Sequence, residues 1–313
     1  MSAAFRFAPG PSLLIPCLLI LSGGCSIKKL AVNKLGDMLA SSGSTFESDE
    51  DPELVAAAIP FGLKLYEGLL AESPKHTGLL LAAASGFTEF SYAFIDLKAE
   101  EAKEESVDKA NALQERARKM YLRAHGYAMR GLEAKYPGFG AALDNDAVTA
   151  LKRVRKTDVP FLYWAAASLG LAISTSKGSP EMIGQLPLVE MIVNRIVELD
   201  ETFDNGAVPE FLITLEAARS GVKLEDMEAA MRKHFDRAIE ISKGKRAGTY
   251  VSFAENADEP AQNAAEFQSM LEKALAIDVD ADPTTRLANV IAQRRARWLL
   301  AHQSELFLEA KVP

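Results

Sequence analysis

The sequence predicts an all-α protein, an array of antiparallel helical hairpins, and three observations carry that prediction. Apolar residues recur at three- and four-residue steps, no segment alternates convincingly at period two, and helix starts are marked by a capping side chain placed before a proline. These starts are Asp51-Pro52-Glu53, Ser179-Pro180-Glu181 and Asp282-Pro283. An Asp or Ser there accepts a first-turn N–H, and the fixed φ of proline suits the first helical position.

Taken in order, residues 1–24 form a secretory signal: the cation Arg6, an apolar run from Ser12 to Leu21 interrupted by Pro16, then small residues. The run is too short to span a bilayer, which takes about 20 residues. Leu21-Ser22-Gly23-Gly24-Cys25 resembles a lipobox, although Ser22 stands where leucine is commonest. Cleavage before Cys25 makes that thiol the lipid attachment point, removes Cys17, and leaves no second cysteine for a disulfide. Ser26, where an aspartate is the usual inner-membrane retention signal, points to a periplasmic protein lipid-anchored to the outer membrane.

Residues 25–50 read as a lipidated N-terminus and tether. IKKLAVNKLGDMLA is a basic amphipathic piece that either sets Leu30, Val32, Leu35 and Met38 on lipid or packs on its own domain. The domain proper covers 51–313, with helices expected at about 52–72, 76–97, 100–136, 140–152, 158–175, 180–200, 206–219, 224–242, 260–276 and 283–309. Ala99, Ala102, Ser106, Ala110, Leu113, Ala117, Met120 and Ala124 make a small-residue seam that lets the 76–97 helix pack closely as an antiparallel hairpin. Val159 to Ser176 carries no charge, and its Ala, Ser, Gly and Thr content makes it a buried central helix rather than a membrane span.

Without Arg6 the chain holds 34 Lys and Arg against 43 Asp and Glu, a net −9, which argues against a nucleic-acid partner. With 48% hydrophobic and 25% charged residues it is globular. Gly62, Tyr66 and Pro74 reproduce half of a tetratricopeptide unit, with partial echoes at Phe235/Ala238 and Leu271/Ala274, so the hairpins read as cryptic tetratricopeptide-like repeats.

Six stretches carry a resemblance: CSIKKLAVNKL at 25–35, DEDPEL at 49–54, LLLAAASGFTEFSYAFI at 79–95, FLYWAAASLGLAI at 161–173, HFDRAIEISKGK at 234–245 and RLANVIAQRRARWLL at 286–300. Together, in order along the mature chain, they resemble the T-component (TatT) family that accompanies tripartite ATP-independent periplasmic (TRAP) transporters. The resemblance implies a membrane-tethered homotrimer with a central pore and a cavity in each subunit. It also implies docking of a periplasmic solute-binding P-component and help in passing a small organic or hydrophobic ligand. Leu169 departs from the pattern, where a second tryptophan is expected. A different class of function, an envelope scaffold that binds peptides or assembly factors without a transporter, suits a concave helical array as well.

No enzyme, cofactor or metal centre is expected. The histidines His76, His125, His234 and His302 are scattered. Ser174-x-x-Lys177 has four unaccompanied equivalents, at Ser26, Ser106, Ser220 and Ser242. Asp278-x-Asp280-x-Asp282 lacks the later positions of a calcium loop.

Phe87, Glu89, Tyr92, Tyr163 and Trp164 are the candidate cavity residues, since aromatic bodies with polar tips suit mixed ligands and core packing alike. Glu89, in an apolar setting, either lies on a solvent stripe or faces inward, where Arg294, Arg295 or Arg297 would pair with it. The same arginines are candidates for an anion or a partner's acidic face, or for ion pairs with neighbouring helices.

Overall fold

The computed structural model describes residues 24–40, 43–176, 178–219 and 221–308. The signal segment up to residue 23, the side chain of Cys25, and Lys177 and Ser220 lie outside the described residues. Among those described there is no strand, and the fold is an all-α helical array.

The helices are α1 (Gly24–Ala40), α2 (Gly43–Glu47), α3 (Pro52–Glu72), α4 (Thr77–Ser91), α5 (Leu97–Glu101), α6 (Val107–Lys135), α7 (Phe139–Asn145), α8 (Ala147–Lys152) and α9 (Val159–Ser174). They continue as α10 (Pro180–Ile183), α11 (Leu186–Asp200), α12 (Ala207–Ala217), α13 (Leu224–Ser242), α14 (Ala247–Phe253), α15 (Ala264–Leu275), α16 (Arg286–Ala301) and α17 (Gln303–Leu306). A π-helical turn, Tyr92–Asp96, joins α4 to α5, and a second, Ala254–Asp258, comes directly after α14.

Side-chain pairings give the helix directions. Asp96 meets Tyr121, Phe87 stacks on Tyr127, and the Pro74 carbonyl accepts from Arg130, so α4 and α6 run antiparallel. His125 meets the Ala165 carbonyl and Lys135 meets Asp158, so α6 and α9 do too. The small-residue seam is the close face: Ala110, Ala117 and Ala124 are buried. Gly131 lies directly under the Phe161 ring, where any Cβ would overlap it. The uncharged α9 is a central helix, with Leu162, Ala165, Ala166, Leu169 and Ala172 at or near zero exposure.

Several elements differ from those expected, each for a local reason. The 100–136 helix is interrupted at 102–106, because the Ser106 hydroxyl caps a new start by accepting from the Lys109 N–H. The 140–152 helix is two helices, with the Asp146 N–H closing α7 and its carboxylate capping α8. The 180–200 helix divides at Gly184 and Gln185. The start at Asp282-Pro283 is present as a 3-10 turn, Pro283–Thr285, capped by the Asp282 carboxylate and running directly into α16; α15 starts later than expected, at Ala264 behind its Asn263 cap, and α14 occupies a stretch where the sequence pattern marks no helix.

The expected tether is docked over most of its length. Helix α1 lies on α3 and α4: Asn33 accepts from Ser73 Oγ at 2.7 Å, and Gly36 fits under His76 and Leu79. Val32 and Leu39 pack on the core, while Leu30 and Leu35 point outward. Helix α2 touches α16, and the Ser48 carbonyl accepts from Arg286.

Helices α3 and α4–α5 are long and apolar enough to cross a membrane by length and composition, but half of the α4–α5 window is buried inside the protein. Two separate hydrophobic clusters result, one built on α3 to α12 and one on α12 to α17. Helix α12 serves both, giving Val208, Leu212 and Leu215 to the first and Ile213 to the second.

Candidate functional site

The polar residues that the two cores leave between them define the site. On α4, successive side chains turn by about 100°, so Ser85, Glu89 and Tyr92 share a face while Phe87 points to the opposite one. The π-helical turn starting at Tyr92 inserts one residue per turn and re-aims the side chains beyond it; such turns often occur at functional sites. The second π turn carries Glu255 and Asp258.

Glu89 and Tyr92 both present much of their side-chain surface to water, 40% for Tyr92. Yet burial, helped for Glu89 by the charges of Glu47 and Asp204, raises the carboxyl to about 8. Burial likewise raises the Tyr92 hydroxyl, with Glu255 adding to it and Arg295 opposing. Accessible surface on groups with this much protein around them marks a concave, water-accessible face, called the recess below.

The walls of this recess are set by the same neighbours. Burial raises the Tyr163 hydroxyl on α9, against Arg246, with Asp204, Glu210 and Glu89 adding to the rise. Its ring packs on Trp164 and Phe203 at 5.1 Å each and on Phe211 at 6.3 Å, giving an aromatic wall.

Opposite are two charged networks. Arg246 donates from Nε to Glu210 at 3.1 Å, and from Nη1 to the Asp204 carboxylate at 3.2 Å and to its carbonyl at 3.0 Å. Thr249 Oγ1 donates to the same Glu210 oxygen. Arg295 donates to Glu255 at 2.6 and 2.8 Å and to Glu100 at 2.8 Å, with its guanidinium 4.5 Å from the Trp298 ring centroid.

Asp204 sits on a strained stretch: Asp204, Asn205 and Gly206 all have positive φ, and only glycine adopts that freely. The strain holds the Asp204 carboxylate and carbonyl on one guanidinium.

The expected site residues are dispersed accordingly. Glu89, Tyr92, Tyr163 and Trp164 belong to one neighbourhood. Phe87 is buried on the far face of α4, stacked on Tyr127 at 5.8 Å with the Arg123 guanidinium over it. None of the three arginines pairs with Glu89. Arg295 is taken by Glu255 and Glu100, Arg294 pairs with Glu53, and Arg297 is exposed. Leu169 is 1% exposed, inside the core. Asp204, Glu210, Arg246 and Glu255 do not stand out in the sequence. The lone signal for them is the placement of charges beside buried apolar segments, which many surface residues share. Among the described residues, no group of three or more His, Cys, Asp or Glu is placed to hold a metal ion.

A family model described as TRAP transporter T-component matches residues 48–307. The chain belongs to the TRAP transporter T-component family. A protein of Treponema pallidum (strain Nichols), described only as uncharacterized, is similar at 29% identity over 321 positions, which cover 96% of this chain and 99% of that protein. Membership makes this T-component an accessory of a TRAP transporter, with a place in the cell envelope. The recess lies wholly within the matched span apart from its rim at Glu47.

Proposed function

We propose that this T-component works on the periplasmic side of the outer membrane, held by lipid on Cys25 once residues 1–24 are removed, with 25–50 as the anchored lead-in to the 51–313 domain. There it forms a homotrimer of tetratricopeptide-like hairpins, docks the solute-binding P-component of its transporter, and helps pass a small organic or hydrophobic ligand. The recess between the two cores supports this reading most directly. It brings together an aromatic wall and polar tips that make no side-chain hydrogen bond to another described residue.

Co-purification tests the proposal. The detergent-extracted protein is expected to retain the P-component encoded beside it and to elute at the mass of a trimer. An extracted protein that is monomeric and brings down envelope-assembly factors instead would favour the scaffold reading and overturn this one.

A further inference from the structure

Helix α1 has one side glued to the domain and the other bare, and its first turn contains Cys25. The inference drawn from this rests on Cys25 carrying the lipid. The glued side is held along its length. Asn33 Oδ1 accepts from Ser73 Oγ at 2.7 Å, the Asn33 carbonyl accepts from His76 Nε2 at 3.1 Å, and the Leu39 carbonyl accepts from the Tyr66 hydroxyl at 3.4 Å. At Gly36 a Cβ would come within 2.9 Å of both His76 and Leu79, so the backbones meet there at the closest approach glycine allows. Val32 and Leu39 complete the packed side. A lipid on Cys25 is therefore joined to the domain by a docked helix, with no slack between them.

The bare side is apolar. Leu30 is 61% exposed, Leu35 44% and Met38 71%, and with the exposed Ala31 and Lys34 they fall on one arc about 140° wide. At a rise of 1.5 Å per residue, Leu30 lies about 8 Å and Met38 about 20 Å along the axis from Cys25. A helix standing upright on its lipid would wet only its first turns. Exposure of large apolar side chains as far along as Met38 is covered when the helix lies along the surface.

Charge agrees with that cover. Lys28, Lys29 and Lys34 against the one acid Asp37 make residues 25–40 basic within an acidic chain, which suits anionic headgroups. Lys34, between Leu30 and Met38 on the arc, can lay its stem on the apolar surface and keep its ammonium among the headgroups.

We propose that α1 lies flat on the bilayer that holds Cys25, with Leu30, Leu35 and Met38 in the lipid and Lys34 at the headgroups, so that the anchored domain presents one fixed side to the membrane. The acyl group retains the protein and α1 orients it.

Once Cys17 is removed and Cys25 acylated, no free thiol remains, so one introduced cysteine gives one reporter. Leu30→Cys, Leu35→Cys and Met38→Cys place it on the bare side of α1. Leu224→Cys, at a 47% exposed position of α13 in the second core, is the control. Each acylated variant carries a polarity-sensitive dye and is reconstituted into phosphatidylcholine–phosphatidylglycerol vesicles, with and without lipids brominated near the top of their chains. The three α1 dyes are expected to sit about 5–10 Å into the headgroup and acyl boundary and to be quenched at least about threefold more than the dye at Leu224.

Equal quenching at all four positions, or no quenching on α1 in protein that floats with the vesicles, overturns the proposal. Dyes on α1 that report an apolar setting without bromine quenching overturn it as well, since the cover is then a second copy of the chain or another protein. Flotation of the acylated wild type is scored separately: failure there is failure of the lipid on Cys25 and takes this inference with it.

Discussion

At the scale of single residues, two glycines of α6 give opposite expectations. A Cβ on Gly131 would fall inside the Phe161 ring of α9, whereas one on Gly126 meets nothing within 4 Å. Overpacking a core costs about 1–3 kcal/mol, and replacing a mid-helix glycine by alanine otherwise gains about 1 kcal/mol. Gly131→Ala should therefore lower the urea midpoint and Gly126→Ala should raise it slightly, as read by circular dichroism.

Glu89 supplies a pH dependence. Its folded pKa of about 8 lies above the unfolded value of 4.5, so the folded chain binds the extra proton in that interval. Its contribution is most favourable below about 4.5 and is lost as pH rises toward 8. Asp258, buried with an unpaired Oδ2 and also raised to about 8, acts in the same direction. Between pH 6 and pH 8.5, Glu89→Gln should lose less stability than the wild type in denaturant titrations.

At the scale of elements, Ser106 is the informative position. In the sequence it is one step of a seam that runs without interruption from Ala99 to Ala124, and the seam's buried face is present in the fold. What periodicity does not reveal is the turn at 102–106, since Ala99, Ala102 and Ala110 stay buried on both sides of the break. Removal of the cap in Ser106→Ala should destabilise the protein by about 1 kcal/mol. A thermal melt within error of the wild type would show that the turn is held by other contacts.

Marked starts such as Asp51-Pro52 and the uncharged α9 are readable because a cap or a composition acts locally. The partner of Arg295 is not, because Glu100 and Glu255 come from helices 195 and 40 residues away. Of the recess, the aromatic and acidic tips on α4 and α9 stand out by being polar in apolar surroundings. The opposing wall at Asp204, Glu210 and Arg246 depends on a left-handed backbone turn that no local pattern announces.

At the scale of the whole molecule, the helical domain carries its own cores, and the proposed anchor at Cys25 precedes them in the chain. Cys25→Ser should therefore shift the protein from the membrane pellet to the soluble periplasmic fraction with its helical content intact. Recovery of Cys25→Ser in the pellet after a salt wash would count against the anchor.

The array also closes on itself: α16 touches α2 and α3, Arg294 reaches Glu53, and Arg286 reaches the Ser48 carbonyl, joining residues up to 241 positions apart. A ladder of hairpins needs only neighbours to fold, but a ring needs its last member, and contacts so remote along the chain are slow to form. A chain emerging N-terminus first would thus leave the wall beside Tyr92 missing until Arg295 arrives with α16. The recess would be completed last, and a truncated or stalled product could be well folded around α9 yet stand open on the side that Arg295 closes.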